Sequence, residues 1–189
     1  KVGPTILCPA NDTIDCRNPT APRVKDTVSY GKPVIHEMCL DSVWVDSIPS
    51  LNECKQGTIT RRIYARDKAK NISFCDQIIT VINSNPFNGN DTADMTWPRD
   101  TTFFICSAGT DPSVTGKPVF KDQSCAKLTY TFTDETYTFA PGACKKIIRK
   151  WTVADWCQIN PDVIGSGRWV RMQKIVVMDT VKPTLTVPA

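Results

Sequence analysis

The chain has 189 residues, of which 41% are hydrophobic and 22% charged, and its formal net charge at pH 7 is +4. This is the composition of an ordinary folded domain, and the scattered basic residues argue against a nucleic-acid-binding surface. No apolar stretch approaches the ~18 residues that a membrane helix needs. Neither nucleic acid binding nor membrane insertion is therefore expected.

The opening of the chain is repeated at its end. Residues 2–10 match residues 181–189 at Val, Pro, Thr, Pro and Ala, and a poorer copy lies at residues 94–98. The anchoring prolines Pro9, Pro98 and Pro188 are 89 and 90 residues apart. The spacing predicts two full repeats and the first strand of a third, as in a section of a longer array.

The repeat sets the predicted domain limits. A chain of this length suits one or two domains of ~100–200 residues each, and the repeat favours two. We predict a first domain over 1–84, a second over 94–180, and the opening strand of a truncated third repeat over 181–189. Residues 85–93 between them are rich in Asn, Pro, Gly and Asp, which is typical of a linker.

Within repeat one, the clearest strand signal covers residues 58–67. Ile59, Ile63 and Ala65 fall on one face of this segment, and such a period of two predicts a half-buried strand. A turn is expected over residues 47–52, before this strand. Residues 74–82 are rich in β-branched side chains and predict the closing strand.

Repeat two follows the same order. Gly116-Lys117-Pro118-Val119 copies Gly31-Lys32-Pro33-Val34, and residues 147–155 copy the strand over 59–67. Trp151 stands where repeat one has Ile63, which predicts a core position. A loop over 158–168 is inserted. Short strands punctuated by Gly and Pro, with no helical period, predict an all-β chain of two tandem immunoglobulin-like β-sandwich domains.

The nine cysteines indicate disulfides. No Cys-x-x-Cys is present and His36 is the only histidine, whereas zinc sites normally combine closely spaced Cys and His ligands. An oxidising compartment is therefore expected.

Comparing the repeats suggests a pairing. Cys8 and Cys75 are both replaced in repeat two, by Trp97 and Arg171, which favours a bridge between them. Cys39 of repeat one corresponds to Cys125 of repeat two, and Cys54 corresponds to Cys144, which favours one bridge within each repeat. Cys157 is the expected partner of Cys106. The predicted scheme is Cys8–Cys75, Cys39–Cys54, Cys106–Cys157 and Cys125–Cys144, with Cys16 free. A Cys16–Cys75 bridge with Cys8 free is the alternative.

Catalysis is not expected, because His36 is the only histidine base and is read as a surface residue. Calcium is a candidate ligand at the domain junctions, where Asp91, Asp94 and Asp179 could supply oxygen ligands. Trp156 and Trp169 flank the inserted loop, where they either pack beneath it or contact a ligand such as a sugar.

An ordered set of motifs resembles the hyalin-repeat-like and immunoglobulin-like modules of very large Bacteroidetes surface proteins. The set comprises Cys8-Pro9-Ala10-Asn11-Asp12 with Cys16; Ser113-Val114-Thr115-Gly116-Lys117-Pro118 with Cys125; Arg149-Lys150-Trp151-Thr152; Asp155-Trp156-Cys157; Gln173-Lys174-Ile175-Val176-Val177; and Asp179-Thr180-Val181-Lys182-Pro183. The proteins it resembles are type IX-secreted gliding and attachment adhesins and surface filaments. Ala69 departs from the pattern, where the family usually has a cysteine.

The resemblance implies a structural spacer or adhesive section of a giant extracellular protein at the bacterial cell surface, used for attachment, gliding or surface capture. Its expected partners are neighbouring repeats, other copies in a multi-chain filament, and an unidentified surface ligand. The alternative is a lectin-like module that binds carbohydrate or protein through the 158–168 loop.

Overall fold

A computed structural model describes residues 3–17, 29–138 and 142–180. The chain divides into two compact units, Lys1–Pro86 and Phe87–Ala189, so the boundary lies inside the predicted linker. The expected first strand of a third repeat, over 181–189, lies outside the described residues. No helix in the described ranges is long and apolar enough to cross a membrane.

Within residues 3–17 and 29–86, unit 1 contains six strands in two sheets. The larger sheet has the order β2-β6-β5-β4, and a two-stranded sheet pairs β1 with β3. The strands are β1 (Thr5–Leu7), β2 (Asp12–Asp15), β3 (Val34–His36), β4 (Leu40–Leu51), β5 (Gly57–Asp67) and β6 (Ile72–Ile82).

Unit 2 repeats this arrangement strand for strand. Its larger sheet has the order β10-β11-β12-β8, and β7 pairs with β9. Its described elements are β7 (Met95–Thr96), β8 (Thr101–Phe103), β9 (Val119–Phe120), β10 (Leu128–Tyr137), β11 (Lys145–Asp155) and β12 (Arg168–Val177), and a helical turn, α1 (Pro112–Thr115), precedes β9. The prediction of an all-β chain of two tandem, disulfide-stapled domains is confirmed.

The period of two along β5 determines what each core contains. Ile59, Ile63 and Ala65 are buried as predicted, and Ile79 and Val81 of β6 join them. In unit 2 the equivalent face of β11 and β12 buries five apolar side chains. These are Ile147, Trp151, Val153, Ile175 and Val177. The core position predicted for Trp151 is confirmed.

Phe87 opens unit 2. Its ring is buried against Met95 and Val153, and burying a side chain of that size stabilises a domain by about 1.5–3 kcal/mol. Asn88 N–H donates to Asp94 Oδ2 at 2.7 Å, so this hydrogen bond joins the two ends of segment 88–94. The predicted linker from Phe87 onward therefore belongs to unit 2.

The turn expected over residues 47–52 is wrong. β4 continues through Pro49 to Leu51 and pairs with β5 along its whole length, from Leu40 opposite Asp67 to Leu51 opposite Gly57. Proline is tolerated there because β4 is the edge strand of its sheet, where one side of the backbone needs no partner. The chain turns only after Leu51.

Candidate functional site: the paired terminal strands

The first and last strands of each larger sheet lie side by side and run parallel. In unit 1, β2 pairs with β6 from Asp12 opposite Ile79 to Asp15 opposite Ile82. In unit 2, β8 pairs with β12 over three residue pairs, ending at Phe103 opposite Val177. We call these two parallel pairs the terminal-strand clamps.

In unit 1 a buried Arg–Gln pair joins β5 and β6 to the backbone segments that precede β2 and β3. Gln77 Nε2 donates to the carbonyl oxygens of Ala10, at 2.5 Å, and Tyr30, at 2.9 Å. Arg61 Nη1 donates to Gln77 Oε1 at 2.8 Å and to the Gly31 carbonyl at 3.0 Å. These bonds satisfy carbonyls whose burial would otherwise cost free energy.

In unit 2 the equivalent glutamine makes the matching contacts to the backbone. Gln173 Nε2 donates to the carbonyls of Arg99 and Thr115, each at 2.7 Å. Its Oε1 accepts the indole N–H of Trp151 at 2.9 Å. Ala10 and Arg99 each follow an anchoring proline, so both glutamines hold the same two backbone segments. We call the Arg61–Gln77 and Arg149–Gln173 sets the braces.

The arginine of the second brace is bound more fully. Arg149 Nε and Nη2 contact the two carboxylate oxygens of Asp134 at 2.7 and 2.8 Å. Its Nη1 donates to Thr115 Oγ1 at 2.8 Å, and Nη2 also donates to the Thr110 carbonyl at 2.7 Å. A two-point Arg–carboxylate contact of this kind is stronger and more directional than a neutral hydrogen bond.

The repeated Gly-Lys-Pro-Val motif meets the anchoring prolines. Gly31 has φ +81°, and an added Cβ there would lie 3.1 Å from Pro9 Cβ; Gly116 has φ +87°, with Pro98 Cβ at 3.4 Å. A positive φ disfavours any residue with a side chain. The Gly-Lys-Pro-Val motif therefore recurs because its glycine packs against the anchoring proline in both units.

Asp15 closes the end of the clamp in unit 1. Its carboxylate accepts the backbone N–H of Arg17 at 2.7 Å and that of Ser84 at 2.9 Å, and it also accepts the Ser84 hydroxyl. The Ser84 hydroxyl, then the two backbone N–H groups, hold the pKa of Asp15 below its ordinary 3.8. Asp15 thus connects the end of β2 to the residues that follow β6.

This shift predicts acid sensitivity at the clamp. Because the folded-state pKa is lowered, the stabilisation is present above about pH 4 and is lost as the pH falls through the folded-state value. We expect Asp15→Asn to be less stable than the wild type at pH 7, and the difference to shrink towards pH 2. Urea unfolding at several pH values measures it; a gap that stays constant with pH would show that the carboxylate contributes nothing through its charge.

Cys8 and Cys75 form the bridge that the paired replacements suggest, with their Cα atoms 5.8 Å apart. The alternative Cys16–Cys75 bridge is therefore wrong. Cys75 lies in β6 beside Ile63, so the bridge joins the segment before β2 to the closing strand.

The expected Cys39–Cys54 bridge is wrong, because Cys39 is an exposed free thiol. The two residues flank opposite ends of β4, whose 12 residues span roughly 40 Å at ~3.3 Å each. A disulfide needs Cα atoms within about 7 Å. The prediction failed because it placed a turn where the strand continues.

The expected Cys106–Cys157 and Cys125–Cys144 bridges are also wrong. Cys106 is bonded to Cys144. Val177, at the end of β12, pairs with both Phe103 of β8 and Lys145 of β11, which brings these two cysteines together. Cys157 follows the far end of β11, whose 11 residues span roughly 35 Å at ~3.3 Å each.

The prediction of a free Cys16 is wrong too, because Cys16 is buried and disulfide-bonded. Cys54, Cys125 and Cys157 are also disulfide-bonded. Cys39 is therefore the unpaired thiol of the nine.

The two tryptophans at the inserted loop differ. Trp169 packs edge-on against Phe87, with ring centroids 5.1 Å apart, and touches Gly89 so closely that no side chain fits there. Trp169 therefore packs against residues 87–89. Trp156 has 58% of its surface exposed. Its role as a ligand contact stays a prediction.

Two of the three predicted calcium ligands already accept hydrogen bonds from the backbone, and the third, Asp179, lies beside a disulfide. Asp94 is buried and accepts the Asn88 N–H, while Asp91 Oδ1 accepts the Ala93 N–H at 2.8 Å. Asp179 lies beside Cys106 and Cys144, whose sulfurs are bonded to each other. Junctional calcium stays a prediction, and a melting temperature unchanged by EGTA would exclude a stabilising role for it. His36, the candidate base set aside from the sequence, is exposed in β3.

No protein-family model matches the sequence, and no curated protein matches it. Among solved structures, the chain is similar to a crystal structure of human mucin-like protocadherin EC1-2. The identity is 9% and the TM-score 0.36, with 93% of this chain and 99% of that chain covered. At this identity and TM-score the likeness assigns neither family nor function, so function has to be inferred from the chain's own strands and bonds.

Proposed function

We propose that this chain is a load-bearing section of an extracellular repeat protein, in which each unit adds length and resists unfolding under tension. The parallel pairing of the first and last strands in unit 2 carries this proposal, and the equivalent pair in unit 1 is loaded in the same way once its Cys8–Cys75 bridge is reduced. Tension on the two ends pulls the partners of a parallel pair in opposite directions along their axes. All hydrogen bonds of the pair are then strained together instead of one after another.

The covalent bonds support the same role. The Cys8–Cys75 bridge passes tension from the segment before β2 directly to β6, and the residues between the two cysteines bear none of it. Eight of the nine cysteines are disulfide-bonded, which fits an oxidising, extracellular setting. Attachment within a giant bacterial surface protein or filament is the finer role that the sequence resemblance implies, and it is part of this proposal.

Stretching the whole chain by its ends, before and after reduction, tests this role. The two assigned bridges have sequence separations of 67 and 38 residues, which correspond to roughly 350 Å of extended chain at 3.3–3.6 Å per residue. We expect the oxidised chain to reach a final length shorter than the reduced chain by at least about that amount. Equal final lengths would refute the covalent restriction of length.

A lectin-like role of the 158–168 loop is the weaker candidate. Trp169 is occupied by packing against Phe87, which leaves Trp156 as the exposed aromatic side chain of the predicted pair. A spacer needs no ligand at this loop, so removal of Trp156 is compatible with full mechanical resistance.

A further inference from the structure

Unit 2 contains a cleft at the position where unit 1 has the Cys8–Cys75 bridge. Trp97 and Arg171 replace the two cysteines, and Arg171 lies opposite Trp151 in β11, as Cys75 lies opposite Ile63 in β5. Both replacements line a cleft of about 520 Å³. Ligand sites in proteins commonly have 300–1,000 Å³, so the cleft has room for one or two sugar-sized units.

Two arginines line the cleft without a direct ion-pair partner among the described residues. Arg99 and Arg171 both line it and are exposed, and neither side chain has a hydrogen bond or ion pair to any residue within 3–17, 29–138 or 142–180. The backbone carbonyl of Arg99 accepts hydrogen bonds from Gln173 Nε2 and Thr101 Oγ1. Arginine offers a fork of donors that matches a carboxylate, so the cleft presents two anchors for an anion.

The cleft also offers acceptors and a flat apolar surface. Oδ1 of Asp91 accepts the backbone N–H of Ala93, and Oδ1 of Asp100 accepts that of Lys174. The other carboxylate oxygen, Oδ2, of each aspartate accepts no hydrogen bond from the part of the chain that the structure describes. Trp97 is half-buried, and its indole N–H donates to the Gly89 carbonyl at 2.8 Å, which fixes the ring at the cleft wall. A ligand that suits all of these groups must combine an anion, several hydroxyl donors and an apolar face.

We propose that this cleft binds a carboxylate-bearing sugar unit of an acidic polysaccharide. The carboxylate pairs with Arg99 and Arg171, the hydroxyls donate to Asp91 and Asp100, and the apolar face of the sugar ring packs on Trp97. A polyphosphate or an acidic peptide supplies anions but few hydroxyl donors, so it leaves the carboxylate oxygens of the two aspartates without hydrogen bonds. The site is independent of the load-bearing role, since it lies beside the clamp and uses none of its bonds.

Binding of a uronic acid hexasaccharide to the whole chain, measured by calorimetry, tests the proposal. We expect saturable binding that weakens with salt, because ion pairs are screened, and at least tenfold weaker binding by Arg171→Gln and by Arg99→Gln. Arg168→Gln is the matched control, since it removes the same charge from the same strand at the inserted loop. It is expected to bind like the wild type.

Three comparison ligands separate the alternatives. A neutral hexasaccharide of the same length, a sulfated hexasaccharide and hexaglutamate should all bind more weakly than the uronic acid oligomer. The proposal is overturned if the uronic acid oligomer does not bind, or if Arg171→Gln and Arg99→Gln bind it like the wild type. Tighter binding of the sulfated oligomer would overturn the choice of carboxylate, and equal binding of hexaglutamate would overturn the choice of a sugar.

Discussion

Arg149→Met is expected to lower the free energy of unfolding by about 3 kcal/mol. Removing one partner of a buried ion pair typically costs 3–5 kcal/mol, and the lower end applies because the Asp134 side chain keeps 28% of its surface exposed. The substitution keeps an apolar stem of similar length, so the loss comes from unpaired polar groups. Asp134, Thr115 and the Thr110 carbonyl all lose a donor.

Lys150→Met is the matched control for this substitution. Lys150 is the next residue of the same strand, points to the opposite face and is exposed. Changes at such surface sites usually stay within about 0.5 kcal/mol. Urea unfolding of both variants gives the difference, and similar losses for the two would show that the brace does not stabilise unit 2.

Replacing Cys8 and Cys75 together by alanine is expected to destabilise the chain by up to about 4 kcal/mol in the chain-entropy model. The bridge spans a sequence separation of 67, and long loops gain most from closure because the unfolded chain loses more freedom. Other bridges already restrict the unfolded chain, so this value is an upper bound. Replacing both residues avoids leaving a reactive thiol.

Cys39→Ala is the control for that double substitution. Cys39 is exposed and free, so its loss should leave the melting temperature unchanged. If the double variant also has the melting temperature of the wild type, the bridge does not stabilise unit 1. If Cys39→Ala melts markedly lower than the wild type, the assignment of Cys39 as a free surface thiol is contradicted.

The repeat and the strand alternation made much of the fold predictable. Period two along residues 58–67 identified the buried face of β5, and the matched position of Trp151 identified a core residue of unit 2. These signals work because a buried face imposes its own spacing on the sequence. The joint replacement of Cys8 and Cys75 likewise reflected a contact, because a bridge requires both cysteines.

The other cysteines show what comparison of repeats leaves undetermined. The match between Cys54 and Cys144 shows that they occupy equivalent positions in the two repeats. It does not show which cysteine lies near either of them. Proximity depends on strand length, and the continuation of β4 through Pro49 separates Cys39 from Cys54 by the whole strand. A proline in an edge strand gives the same local signal as a proline in a turn.

The braces were missed for a different reason. Arg61 lies between Ile59 and Ile63 in the alternation, which places it on the buried face, yet a hydrophobic pattern gives no weight to an arginine. The usable signal was the recurrence of Arg149 at the same place with glutamines, Gln77 and Gln173, on the neighbouring strands. Polar residues that recur on a predicted buried face indicate hydrogen bonds to the backbone of a second layer.

Pulling the chain through two alternative pairs of attachment points is the measurement that tests the load-bearing role most directly. One pair is the two termini, which loads β8 and β12 from opposite ends. The other is the N-terminus and Ile164, which is fully exposed and precedes β12, so both strands are pulled from the same end and separate one bond at a time. We expect unit 2 to unfold at a clearly higher force through the termini. An equal or lower force through the termini would contradict the proposal that the parallel terminal strands carry the load.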